Sequence, residues 1–305
     1  MADTTTAQLQ HDLQTYFAKK VLRGAEFQTV LDQFGHKETL PEASSKTIQF
    51  TRYSDLDIVT NPLTEGQAPA GSQLTTSAIN AVVDQYGDFV TLTDLAKLTP
   101  KHSSVQNALK KLSEQSSKSY DRAINKVIIA GTAVRYANSK TARNLLADAD
   151  KLTWADVRKE VSRLRTAGAP TFKDGNYVLV VDPAVEQDLM DDEALRQTVY
   201  RQASKEKSNE LYKGELVSFA GVTVVRSNNL ITDKGASNAK VHISLLFGED
   251  AYGNTDLQHL KVYKEGPGGV SDPLHQKMTL GWKFAAKAAI LNNNFMCRLE
   301  SGSLY

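Results

Sequence analysis

The 305-residue sequence has one cysteine, Cys297, so no internal disulfide can close, and no Cys/His array has zinc-module spacing. Disulfide scaffolds and structural zinc modules are excluded. Nowhere do about 18 apolar residues run consecutively, and the opening MADTTTAQLQ has no basic stretch leading into an apolar one. A non-secreted protein without a membrane span is expected. Net charge is nearly absent as well: 36 Lys and Arg against 35 Asp and Glu leave +1, which selects no nucleic acid, membrane or polyanion.

Catalytic signatures are missing too. The six histidines, His11, His36, His102, His242, His259 and His275, are scattered, and no HExxH spacing joins any pair. No glycine pattern makes a phosphate loop, because Gly266, Pro267, Gly268 and Gly269 place a proline where amides are needed; they read as a turn. Asp191, Asp192 and Glu193 are consecutive and diverge on a helix, so they read as a solvated charge run rather than an acid/base pair, and Glu249 and Asp250 likewise. Cys297 sits in an apolar alternation and reads as a buried, unreactive thiol. No cofactor or metal is expected, and the weight moves towards a structural role.

What is present is a 41% hydrophobic share, enough for a sizeable core, and an uneven distribution of charge. Residues 42 to 96 hold seven acids (Glu42, Asp55, Asp57, Glu65, Asp84, Asp88, Asp94) and two bases (Lys46, Arg52), a balance of −5. Residues 97 to 143 hold ten bases and two acids, a balance of +8. Two surfaces meeting different partners are implied.

Apolar residues at mixed helical spacing from Leu13 to Phe34 suggest a helical arm over 1–44, stopped by Gly35 and Pro41. From Lys46 the period becomes two, through Ile48, Phe50, Leu56 and Ile58. After a Pro/Gly-rich break, Ile79, Ala81 and Val83 resume it, which predicts a long hairpin. Strands of about 15 residues would reach roughly 50 Å, yet an isolated ribbon is marginal in water. With few large apolar residues of its own, the hairpin is expected to lie on another subunit, with a hairpin folded back on its own domain as the alternative. A helix is predicted from Ser103 or Ser104 towards Gly131; its polar middle, Ser113 to Ser119, should leave a broad face to solvent or ligand, where Lys110, Lys111, Lys118 and Arg122 crowd. Residues 151–250 read as a compact α/β unit. Thr153 caps a helix, Tyr177 to Val181 is a buried strand, Asp182 and Pro183 open the next helix, a hairpin turns at Ala220 and Gly221, Asp233 to Asn238 is a loop, and His242 to Phe247 is a strand. Met278, Leu280, Trp282, Phe284, Ala286, Ala288 and Ile290 alternate strictly, predicting a long strand with Lys277, Lys283 and Lys287 on its other face and a helix, which alanine and lysine favour locally, as the alternative; a short strand follows through Phe295, Cys297 and Leu299.

This order of parts resembles the major capsid protein of tailed bacteriophages, in particular the branch found in large-headed short-tailed phages. The stretches that carry the resemblance are PLTEGQAPAGSQLTTSAINAVVDQYGDFVTLTDL, GELVSFAGVTVVRSNNL, LLFGEDAYG and DPLHQKMTLGWKFAAKAAILNNNFMCRLE, in that order, from about residue 14 to 300. The resemblance implies an α+β, Hong Kong 97-type capsid fold: an N-terminal arm (1–44), an extended loop (45–100), a spine helix and peripheral domain (101–150), an axial domain (151–250) and peripheral strands (251–305). It implies a non-enzymatic protein that self-assembles into the hexamers and pentamers of an icosahedral head around double-stranded DNA, in the virion, assembled in the host cytoplasm with separate scaffolding and portal proteins and no membrane. The loop residues Leu63, Thr64, Glu65, Gly66, Gln67 and Pro69 would lie between subunits. Lys110, Lys111, Lys118 and Arg122 would face the packaged DNA through phosphate contacts that read no sequence. Some members of this fold join a loop lysine to a peripheral asparagine. Asn292, Asn293 and Asn294 are present, but no lysine lies between Tyr53 and Ala96, so a non-covalent shell is expected. An encapsulin-like compartment shell is the alternative within the same fold, and an α/β enzyme or a DNA-binding protein using the basic segment are the alternatives outside it.

Overall fold

The structure is a computed structural model that describes residues 29–39, 46–54, 56, 58–60, 62, 66, 71–94, 104–193, 218–265 and 276–305. In chain order, strands β1 (His36–Thr39), β2 (Thr47–Tyr53), β3 (Thr76–Val82) and β4 (Asp84–Thr93) precede the long helix α1 (Ser104–Ile128) and β5 (Val134–Tyr136). Helix α2 (Trp154–Thr166), β6 (Tyr177–Val181), α3 (Pro183–Met190), β7 (Ser218–Phe219), β8 (Val222–Arg226), β9 (Thr232–Lys234) and β10 (Lys240–Phe247) follow. Strands β11 (Tyr252–Glu265), β12 (Lys277–Ile290) and β13 (Met296–Ser301) close the chain.

One sheet has the order β1-β11-β12-β4 and lies against α1. Strand β12 alternates as expected: Met278, Leu280, Trp282, Phe284 and Ala286 are buried with Leu109 and Leu112 of α1, whereas Thr279, Gly281, Lys283 and Lys287 stand on the outer face, partly exposed. Each buried large side chain here contributes about 1.5–3 kcal/mol. Strand β11, which lies in the expected peripheral segment 251–305, pairs antiparallel with β12.

The second sheet runs β5-β13-β10-β6-β8-β7, with β9 on β10. All five residues of β6 are buried, because a parallel neighbour, β8, and packed helices cover it. Thr153 caps α2 by accepting from the Asp156 amide at 3.3 Å, and Trp154, Val157, Val161 and Leu164 join β6 and α3 in one core. Pro183 occupies the first turn of α3. The Asp182 carboxylate does not cap that helix; its Oδ2 lies 2.6 Å from Nδ1 of buried His242. A further core spans Leu31, Ile124, Ile128, Val180, Phe247 and Tyr252, so the end of α1 joins the two sheets.

Four expectations are corrected. Residues 1–28 of the predicted helical arm lie outside the described residues, but 29–39 form a 3-10 turn (Leu31–Gln33) and then β1, parallel to β11. A Cβ at Gly35 would lie 2.5 Å from the Asn254 side chain, so the backbone presses onto β11 in a way a helix would not allow. The hairpin strands are seven residues each, not about 15. The polar middle of α1 is not a solvent face throughout. Ser113, Ser116 and Ser117 are buried, and the Ser116 and Ser117 hydroxyls each donate to the Ser113 carbonyl at 2.9 Å, so small side chains bond to the helix itself and tolerate close packing. Finally, Asp233 to Asn238 is not only loop, since it contributes to β9 and a 3-10 turn. The expected turn at Gly266 to Gly269 lies outside the described residues.

Candidate functional site

Strands β2 and β3 pair antiparallel from Thr47 with Val82 to Tyr53 with Thr76, and the ladder ends with the Ser54 amide donating to the Thr75 carbonyl at 3.0 Å. The base of this hairpin is buried in its own chain, as the folded-back alternative has it: Ile48, Phe50 and Ala81 pack on Ala289 of β12. The Phe50 ring is seated over Gly253, where a Cβ would lie 2.7 Å away. Beyond the paired section the support stops. Leu56, Ile58, Val59 and Leu74 are exposed, Ile58 by 90% and Val59 by 78%. Large apolar residues this open on an extended loop mark a contact surface. Of the loop residues singled out in the sequence, Gly66 is exposed in the left-handed region with φ +80, whereas Leu63, Thr64, Glu65, Gln67 and Pro69 lie outside the described residues.

The acidic block is partly used within the chain. Lys287 Nζ donates to Asp84 at 2.6 Å, and Gln115 Nε2 donates to Asp88 at 2.5 Å, so these two acids are engaged in their own subunit rather than with a neighbour.

Lys110, Lys111, Lys118 and Arg122 are all exposed on α1. An open groove is lined by Lys111, Glu114, Gln115, Lys118, Arg122 and Asn229. Asn229 fixes one wall by donating its amide to the Lys118 carbonyl at 2.8 Å, and Arg122 reaches the Asn229 and Leu230 carbonyls at 3.4 Å. Lys110 lies outside the groove lining, though its charge acts on Glu114. Glu114 is held below its ordinary value, chiefly by the hydrogen bond from Lys111 at 2.9 Å. The arrangement presents three cations, two side-chain amides and the Ser119 hydroxyl around a single carboxylate, Glu114, which suits an anion such as a phosphate.

Beside this groove, next to Arg122 and within hydrogen-bond reach of Asn229, α1 carries a buried acid that the sequence reading did not single out. Asp121 is fully buried, and its Oδ1 accepts from the amides of Leu31 at 2.8 Å and Val30 at 3.2 Å. Tyr252 donates to the Leu31 carbonyl at 2.6 Å, and Tyr120 donates to Asp32 at 3.0 Å, so three side chains of the body hold the turn that leads into β1. The only sequence signal was an acid inside a helix at a position spaced with apolar residues.

The groups considered for chemistry sit apart. His36 pairs with Asp250 at 2.9 Å on the surface and His242 with Asp182 inside. The Asp191–Glu193 run is not simply solvated: Asp192 accepts from the Trp154 amide at 2.9 Å, and Asp191 accepts from the Tyr305 hydroxyl at 2.6 Å. Asn293 accepts from the Thr132 amide at 3.1 Å, and the Asn292 side chain accepts from the Asn294 amide at 3.1 Å. Among the described residues no three His, Cys, Asp or Glu side chains are placed to hold a metal ion, and no helix is long and apolar enough to cross a membrane. Cys297 is buried and its thiol is pushed up to about 12 by burial, with Glu160 adding to the effect. A thiol reagent at pH 8 is expected to leave folded protein unlabelled and to label one site per chain in denaturant; fast labelling of folded protein would contradict the buried placement.

Solved structures place this arrangement in the Hong Kong 97-like class of phage shell folds. The capsid of Ralstonia phage GP4 matches with a TM-score of 0.70 at 13% identity, over 91% of this chain and 92% of that one. The head of Helicobacter pylori bacteriophage KHP40 gives 0.68 at 12% identity, over 88% and 87%, and the capsid of cyanophage P-SCSP1u gives 0.66 at 15%, over 90% and 88%. No curated protein sequence matches the chain. The profile of the phage capsid protein family matches residues 76–286, and the chain belongs to that family. It is a structural major capsid protein of a phage head.

Proposed function

We propose that the chain builds the hexamers and pentamers of an icosahedral shell that encloses double-stranded DNA. In this reading 1–44 is the arm, 45–100 the extended loop between subunits, 101–150 and 251–305 the peripheral domain with its spine helix, and 151–250 the axial domain around the symmetry axes. The observation that carries it is the loop beyond Tyr53: it exposes Leu56, Ile58 and Val59, whose burial needs another subunit. Assembly takes place in the host cytoplasm with separate scaffolding and portal proteins, and the chain is not an enzyme. Sedimentation of the purified protein, alone and with candidate scaffolds, tests the reading: fast-moving shells support it, and a persistent monomer opposes it.

Lys110, Lys111, Lys118 and Arg122 face the genome and contact phosphates without reading sequence. Lys118→Glu with Arg122→Glu is expected to release DNA from filled heads at lower salt than wild type, since each lost phosphate contact reduces the salt slope by about one. Equal genome retention across a salt series would remove the assignment. The shell is non-covalent, because the loop from Tyr53 to Ala96 has no lysine to offer. Heads boiled in denaturant are expected to run as monomer alone, and bands at multiples of the chain mass would contradict this.

A further inference from the structure

The outer face of the β4, β12 and β11 sheet carries a row of three residues in register: Phe89 opposite Gly281, and Gly281 opposite Tyr263. Neighbours in register project from the same face, and this face points away from α1 because Leu280 and Trp282, on either side of Gly281, are buried on the other. Phe89 is 66% exposed and Tyr263 50% exposed. Two strand spacings separate the aromatic strands by about 10 Å, which leaves roughly 6 Å between ring surfaces, the width of an aliphatic side chain. Gly281 floors this slot, and a Cβ there would already lie 3.0 Å from that of Phe89. Lys283 of β12 and Lys261 of β11 are directly paired one step along the same face and raise the positive potential beside the slot.

We propose that this slot receives Ile58 from the loop of a second copy of the chain. The inference rests on the shell reading above and names the receptor that reading lacks. Three observations choose the occupant. The same face already takes a hairpin side chain over a glycine at its other end, where Phe50 of the same chain covers Gly253 beside Ala289. The loop offers exposed aliphatic residues of matching size in Leu56, Ile58 and Val59. Its sequence, Asp55-Leu56-Asp57-Ile58, alternates acid with apolar, a charge complementary to the positive potential that Lys261 and Lys283 raise beside the slot. The aliphatic side chain supplies the burial, and the charges set the register.

The test joins the two positions in assembled shells. Ile58→Cys is combined with Thr279→Cys, beside the slot on the outer face, and a short bis-maleimide is added; buried Cys297 does not compete in folded protein. A ladder of linked chains is expected from the double variant and none from either single variant. Phe89→Ser with Tyr263→Ser is expected to keep the wild-type circular dichroism spectrum, since both rings are half or more exposed, and to reduce the yield of closed shells at least tenfold. Shells that form with no linked chains, or with linkage only inside one chain, together with normal shell yield from the serine variant, overturn the slot and leave the shell reading standing. A wild-type chain that never assembles overturns the shell reading itself.

Discussion

Glu300→Ala is expected to cost about 3–5 kcal/mol of stability, the loss that follows when one partner of a buried ion pair is removed. Glu300 is fully buried on β13. Its two oxygens accept from Arg143 Nε and Nη2, both at 2.6 Å, and Arg298 Nε lies 2.7 Å from Oε1. Arg143 also pairs with Asp233 of β9, and Arg298 donates to the Ile129 carbonyl just beyond α1. One carboxylate thus holds together β13, β9 and the turn at Arg143–Leu145. Without it, two guanidiniums face each other with too little counter-charge. The Arg143 guanidinium is held protonated above its ordinary value chiefly by its hydrogen bond to Glu300, so neutralising the arginine offers no escape. Since a domain has only about 5–15 kcal/mol of net stability, the variant should unfold at much lower urea or accumulate as insoluble protein. Glu300→Gln keeps the shape and one acceptor and is expected to lose less. A Glu300→Ala midpoint within about 1 kcal/mol of wild type would show that the network adds nothing net.

Asp121→Ala is expected to free the turn that begins β1, because the buried Leu31 amide loses its acceptor, at about 1–3 kcal/mol, and the part-buried Val30 amide loses its own at a smaller cost. The readout is faster hydrogen exchange at the Leu31 amide with little change in the larger sheet. Acidity gives a second signature. Burial raises the Asp121 carboxyl above its ordinary 3.8, the two amide hydrogen bonds oppose that shift, and the charge of Asp32 adds to it. The folded chain therefore binds a proton more tightly than the unfolded chain between 3.8 and the raised value. In that window this group's contribution to stability falls as pH rises, and the cost of the buried charge is fully present above it. Asp121→Asn keeps an acceptor and removes the charge, so it should flatten this part of the pH profile and match or exceed wild type at neutral pH. An unchanged slope in Asp121→Asn would show that the carboxylate is not what titrates.

Much of the architecture was legible where one physical rule dominates. Strand β12 was legible because one face must fill the space above α1, so strict alternation over Met278 to Ala286 outweighs the local helix preference of its alanines and lysines. Thr153 and Pro183 marked helix starts because capping is local chemistry. The readings that failed depended on distant partners. Ser113, Ser116 and Ser117 look like a solvent face in sequence, yet they are small enough to be the packing face, with their hydroxyls satisfied by the helix backbone. Residues 36–39 show no strand pattern because β1 is defined by pairing with β11, more than 200 positions away. The same holds for the surfaces. The basic face of α1 was visible because its cations are close in sequence, whereas the slot of Phe89, Gly281 and Tyr263 is assembled from three strands and has no sequence signature.

If burial of the exposed loop drives subunits of this chain into a closed shell, as proposed, shells must form from the chain and must depend on Ile58 and Val59. Negative-stain electron microscopy of purified protein, read beside its sedimentation profile, tests it most directly. Closed shells, or rings of six and five, are expected for the wild-type chain, and their loss is expected when Ile58 and Val59 are both replaced by serine. A wild-type chain that remains a small monodisperse species at high concentration, with or without scaffold candidates, would contradict it.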